Sequence, residues 1–183
     1  MIIPFWVKTP PQAEEIRQKT VNARAETMYE KPAFRQSTLN NHCLVLADGF
    51  FEWYEYLGEK FPYYIKLKSQ EPFAMAGLWD TWKNPATGEL VKTYTIITTE
   101  ANTLMQTIHN TKKRMPVILK KTVEHEWLTK ELPSEEVKPM LVPFDDGLLE
   151  AFTISKLITT KGKDQNVPEV VQPYQYPGVR PRY

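Results

Sequence analysis

Fifteen prolines against seven glycines in 183 residues leave no room for a fold of long, regular helices. Each proline fixes φ and removes an amide donor, so it ends or kinks the element it falls in. With Trp, Tyr and Phe at 12% of the chain, the pattern predicts short elements joined by stiff turns, with aromatic faces packed between them. The apolar and charged fractions, 42% and 25%, are those of a globular chain. Its length supports a core without staples, and a single cysteine permits no internal disulfide. No apolar run reaches the ~18 residues of a membrane span, and the amino terminus is too poor in apolar residues for a secretory signal. We therefore expect a cytoplasmic, monomeric protein with no membrane partner. At a net charge of +1, any nucleic acid must be held by a local basic patch and not by a global field.

Local signals give the order of elements. Thr9 before Pro10 and Pro11 predicts an N-cap and a helix over residues 11–19, with Glu14 and Glu15 complementing the helix dipole. A second short helix is predicted over residues 31–39, entered at Pro32. Strands are predicted over residues 42–47, 50–56, 62–68, 73–82, 91–99 and 148–154, where β-branched and aromatic residues gather. Residues 84–88 form a turn. Helical turns are predicted over residues 103–108, 122–128 and 134–141, the last broken at Pro139. Strands outnumber helices and do not alternate with them, which predicts an α+β class with mostly antiparallel pairing. We read one domain over residues 1–170 and an extended, proline-spaced tail over residues 171–183.

Three segments concentrate polar groups that chemistry can use. Asn22 and Arg24 lie two apart and share a face in an extended segment. An amide there orients a ligand and a guanidinium forks onto phosphate; a turn asparagine and a surface arginine explain them equally. In Gly49-Phe50-Phe51-Glu52-Trp53-Tyr54-Glu55 the strand period of two puts Phe50, Glu52 and Tyr54 on one face. A carboxyl between aromatics is partly desolvated, which raises its pKa and suits it to proton transfer. The plainer alternative is a surface glutamate. His109 precedes Asn110-Thr111-Lys112-Lys113-Arg114, so it is either a proton-transfer group beside a phosphate-binding cluster or a capping or core histidine. His42 and His125 read as surface or structural. Cys43, inside an apolar strand, reads as a small hydrophobe. No spacing for a metal, no glycine-rich phosphate loop and no nucleophile elbow is present, so no metal and no cofactor are expected.

Taken together, these segments resemble the SRAP family (SOS response-associated peptidase), whose members process abasic sites in DNA. The resemblance runs from about Ile3 to about Pro168. It implies a bent, partly barrel-like sheet with peripheral helices. It also implies that Asn22, Glu52 and His109 are catalytic, that Arg24, Arg114 and Lys113 contact DNA, and that single-stranded DNA with an abasic site is the partner. Glu52 then opens the sugar and assists imine formation. His109 serves ring opening and strand-cleavage or reversal chemistry. Trp6 stacks on DNA or belongs to the core. In this family the α-amine of an amino-terminal cysteine forms a Schiff base with the opened sugar and its thiol closes a thiazolidine. The chain opens Met1-Ile2-Ile3-Pro4, so we expect an amino-terminally incomplete domain that forms no such crosslink by itself. The family's peptidase label reflects removal of its own initiator methionine; general proteolysis is the weaker expectation. The family context suggests a bacterial cytoplasm, with association to the nucleoid during DNA damage. Two readings stay open: a domain of an abasic-site-processing enzyme, and a non-catalytic module that binds single-stranded DNA.

Overall fold

The computed structural model describes residues 1–129 and 133–179. Its helices are α1 (Pro10–Lys19), α2 (Ser37–Asn40), α3 (Thr103–Ile108), α4 (Glu124–Trp127) and α5 (Ser134–Val137). Its strands are β1 (Asn22–Arg24), β2 (His42–Ala47), β3 (Phe50–Tyr56), β4 (Glu59–Leu67), β5 (Phe73–Lys83), β6 (Leu90–Glu100), β7 (Arg114–Pro116) and β8 (Leu149–Thr153). Two sheets with few helices make the class α+β, as the element pattern predicts. The chain divides into two compact units. One comprises residues 1–46, 74–99 and 116–144; the other comprises residues 47–73, 100–115 and 145–183.

In the first unit the strands run in the order β1-β6-β5-β2. β5 and β6 form an antiparallel hairpin across the predicted turn, where Gly88 takes φ +75° and its N–H reaches Asn84 O at 2.7 Å. β1 is too short to announce itself from sequence, and it pairs parallel to β6, with Ala23 opposite Ile97. Both of these residues are fully buried, while Asn22 and Arg24 face outward. The core beneath gathers Ile2, Met28, Leu78, Val117 and Trp127 among others. The segment before α1 is tied down by two buried polar groups: Phe5 N–H donates to Asp80 Oδ2 at 2.9 Å, and Trp82 Nε1 donates to Val7 O at 2.8 Å.

α1 begins where Thr9 Oγ1 accepts the Gln12 N–H, as expected of an N-cap. Glu14 and Glu15 do not serve the dipole, because neither lies in the first turn. They pair instead with Arg17 at 3.1 Å and Lys19 at 2.6 Å, exposed contacts of small worth. The helix predicted over residues 31–39 is not continuous; only Ser37–Asn40 is α-helical. Before it the chain makes separate turns, with Phe34 N–H and Arg35 N–H both on Lys31 O. The reason is tertiary: Phe34 is drawn into the core, and Pro32 O is taken by Trp6 Nε1 at 3.3 Å, which interrupts the helical ladder. Pro139 does break the last helix, since α5 gives way to a 3₁₀ turn over Lys138–Met140.

His42 turns out to be structural and deeply placed. Its Nδ1 lies 2.9 Å from Trp127 O and its Nε2 3.1 Å from Thr38 O, and the ring stacks on Trp127 at 4.1 Å. Burial holds its pKa below the ordinary 6.5, against the two carbonyl contacts that favour the cation. A histidine with a lowered folded pKa contributes stability that is complete above the unfolded value and is lost as pH falls through the folded value. The unfolding free energy is therefore expected to fall as pH drops below about 6.5. Urea unfolding of the parent and of His42→Gln between pH 5 and 7 checks this. Identical pH slopes for the two proteins would rule it out.

In the second unit β3, β4 and β8 form an antiparallel sheet in that order. The β3–β4 hairpin closes on Leu57 and Gly58, at φ +51° and +78°, the two left-handed positions of a type I′ turn. Residues 173–176 pack onto this unit: Tyr174 N–H donates to Thr153 O at 2.8 Å, and the Tyr176 ring meets Phe61 edge-on at 4.9 Å. The last four residues of the predicted tail, 180–183, lie outside the described residues.

Candidate functional site

Each unit presents one group of the residues singled out from sequence. In the first unit, Asn22 and Arg24 share the outward face of β1, as the two-residue spacing requires. The chain turns directly afterwards, with Thr27 N–H and Met28 N–H both on Arg24 O. Asn22, Arg24, Trp6, Lys19, Thr27 and Lys31 line an open pocket of about 400 Å³. Trp6 is half-buried, and its indole N–H is spent on Pro32 O. The pocket thus combines an aromatic ring, an amide and three cationic side chains, a set suited to a base and its phosphate. Lys31 was not legible as a site residue, because nothing local distinguishes it from any surface lysine.

In the second unit, Glu52 and His109 meet. Glu52 sits on β3 opposite Tyr63 of β4, with Tyr54 and its ring neighbours Tyr56 and Tyr63 alongside on the same face. Its Oε2 lies 3.5 Å from His109 Nδ1 and accepts the Trp53 N–H at 3.3 Å. Burial pushes the Glu52 carboxyl above its ordinary range, and the charges of His109 and Lys112 with the Trp53 N–H pull partly back. A carboxyl so placed holds its proton to a higher pH than an exposed glutamate does.

His109 ends α3, its own N–H donating to Met105 O at 2.8 Å. Its Nδ1 donates to Arg114 O at 2.9 Å. That bond keeps a hydrogen on Nδ1, so in the neutral ring the lone pair lies on Nε2. The loop between them is tightly folded: Lys113 N–H reaches His109 O at 2.9 Å, Lys113 takes φ +50°, and its carbonyl receives Ala101 N–H at 3.0 Å. The Lys112 and Lys113 side chains are exposed and Arg114 is half-buried. Asn110 escaped sequence reading, although its side chain bonds both backbone groups of Glu55 on β3.

Cys43 is no rival nucleophile. Burial pushes its thiol up to about 11, the opposite of activation. Among the described residues, no group of three or more His, Cys, Asp or Glu side chains could hold a metal ion. None of their helices is long and apolar enough to cross a membrane.

The family model described as SOS response associated peptidase (SRAP) matches residues 1–161. The chain is 41% identical over 173 residues to the abasic site processing protein YoqW of Bacillus subtilis, covering 93% of this chain and 73% of that protein. It is 34% identical over 165 residues to the abasic site processing protein HMCES of Xenopus tropicalis, covering 79% of this chain and 48% of that protein. A crystal structure of a protein from Bacteroides thetaiotaomicron superposes with a TM-score of 0.90 at 42% identity, over 95% of this chain and 74% of that one. With the match across most of its length and relatives above 30% identity, the chain belongs to the SRAP family.

Proposed function

We propose that this protein processes abasic sites in single-stranded DNA, with Glu52 and His109 as its acid–base groups. The observation that carries the reading is the Glu52–His109 pair at 3.5 Å, with the carboxyl raised by burial. Abasic deoxyribose is a closed hemiacetal in equilibrium with an aldehyde. Opening it requires a proton delivered to the ring oxygen and another removed from the anomeric hydroxyl. A partly protonated carboxyl supplies the first, and Nε2 of a neutral imidazole accepts the second. Where an amino-terminal cysteine is supplied, its amine adds to the aldehyde carbon and water leaves, with a proton from Glu52, to give an imine. The thiol sulfur then bonds to the imine carbon, its proton passing to the nitrogen, and the thiazolidine closes. In the first unit Asn22 serves to orient a ligand, Arg24 to hold a phosphate and Trp6 to stack on a base; in the second, Lys113 and Arg114 hold phosphates.

The names of the relatives support this substrate, since YoqW and HMCES are both abasic site processing proteins. The test uses the protein with an amino-terminal cysteine supplied and a fluorescent single strand carrying one abasic site. Anisotropy reads binding; denaturing electrophoresis reads covalent adduct and strand scission. We expect affinity to fall steeply with salt, and Arg24→Ala to weaken binding across sequences while lowering the salt slope by about one. Tight, salt-dependent binding with neither adduct nor scission would overturn the catalytic reading in favour of a binding module. Binding that ignores salt and the Arg24 substitution would remove DNA from the account.

A further inference from the structure

We propose that Asn110 is a positioning residue that locks the His109 loop to the strand bearing Glu52; the inference rests on the acid–base reading above. β3 is the edge of its sheet, so alternate residues turn their N–H and C=O away from β4 with no strand to receive them. Asn110 fills that role at Glu55. Its Oδ1 accepts the Glu55 N–H at 3.1 Å, and its Nδ2 donates to Glu55 O at 2.8 Å. One carboxamide thus reproduces the pair of bonds that a neighbouring strand residue would make. A carboxamide carries the donor and the acceptor on adjacent atoms, the spacing needed to meet an N–H and a C=O of one residue.

The consequence falls on the preceding residue of the chain. His109 is joined directly to Asn110, and Glu55 stands three residues from Glu52 on the same strand. Behind Asn110 the loop has little freedom: it is closed by Lys113 N–H on His109 O, by the left-handed Lys113, and by His109 Nδ1 on Arg114 O. The loop is therefore a compact block, held by Ala101 N–H on Lys113 O at one end and meeting the edge of β3 at the other. Asn110 supplies its attachment, and thereby sets the separation of the imidazole from the carboxyl. The side chain also covers an edge that would otherwise be open to pairing with another strand.

The position can be tested without DNA. Carboxyl carbon NMR follows the titration of Glu52 in the parent, Asn110→Ala, His109→Ala and the double variant, forming a double-mutant cycle. In the parent background, His109→Ala should move the Glu52 midpoint upward, because the imidazolium charge holds it down. With Asn110→Ala the same substitution should move it by less than half as much. An equal shift in both backgrounds overturns the proposal. Asn110→Asp keeps the acceptor for the Glu55 N–H, loses the donor and sets a carboxylate against the Glu55 carbonyl. It should reduce the coupling even if Asn110→Ala folds poorly, and an undiminished coupling in Asn110→Asp counts against the proposal equally. On abasic DNA, with the amino-terminal cysteine supplied, we expect Asn110→Ala to slow adduct formation by about 10- to 100-fold, since misplacement near 1 Å has effects of that order. Affinity should stay within twofold. If the parent itself shows no sugar chemistry while the coupling falls as expected, the catalytic reading fails and the positioning role stands. If chemistry is present and Asn110→Ala changes neither rate nor coupling, the positioning role fails alone.

Discussion

Glu52→Gln is expected to slow abasic-sugar chemistry by about 10²- to 10⁴-fold, the usual contribution of a positioned acid or base, and to leave DNA affinity within twofold. The substitution keeps the shape of the side chain and its ability to accept the Trp53 N–H. It removes the one property that the site tunes, a proton that burial holds more tightly than usual and that His109, the Trp53 N–H and Lys112 only partly loosen. Because a raised folded pKa keeps the carboxyl protonated into a higher pH range, the donor function is present at low pH and fades as pH climbs through the folded value. The parent rate should show that descending limb if proton donation limits it, and Glu52→Gln should lack it. Single-turnover electrophoresis across a pH series measures both. A variant that retains a tenth or more of the parent rate would exclude Glu52 as the acid.

The largest expected effect on stability comes from a residue with no part in the chemistry. Trp127→Ala should cost about 3–5 kcal/mol, the range for deleting a buried aromatic. Trp127 is fully buried, its indole N–H donates to Cys43 O at 3.0 Å, and its ring is stacked on His42. Alanine leaves a cavity, an unanswered carbonyl on β2 and an imidazole without its stacking partner. Urea unfolding followed by far-UV circular dichroism reads the loss. A cost below about 1.5 kcal/mol would mean the core collapses around the gap, contrary to the close packing expected of it.

Much of the architecture was legible where a local signal stood alone. β2, β3 and α3 fall on the predicted residues because alternation, β-branching and the run after Asn102 are all local properties. The helix cap at Thr9 follows from the side chain itself. What escaped was set by partners distant in sequence. β1 and β7 are three residues each, too short for a period to be read. The segment after Lys31 has helical composition, yet Trp6 and the core take its groups away from a helix. Glu14 and Glu15 failed as dipole partners because both lie beyond the first turn of a helix that starts at Pro10.

The same division holds at the site. The sequence by itself determined which chemical groups are present and that Glu52 and Tyr54 share a face, because a strand alternates with period two; for Asn22 and Arg24 the shared face followed once the structure made their segment a strand. It also carried the family, since three short motifs in a fixed order are unlike chance. Only the tertiary structure decided that His109 Nδ1 lies 3.5 Å from Glu52, that the Arg114 carbonyl selects the imidazole tautomer, and that Asn110 holds the loop to an open strand edge. Each of these is a contact between groups up to 57 residues apart along the chain. A local pattern specifies the direction of a side chain but not what stands opposite it; that is settled by how strands pair and loops close around a common core.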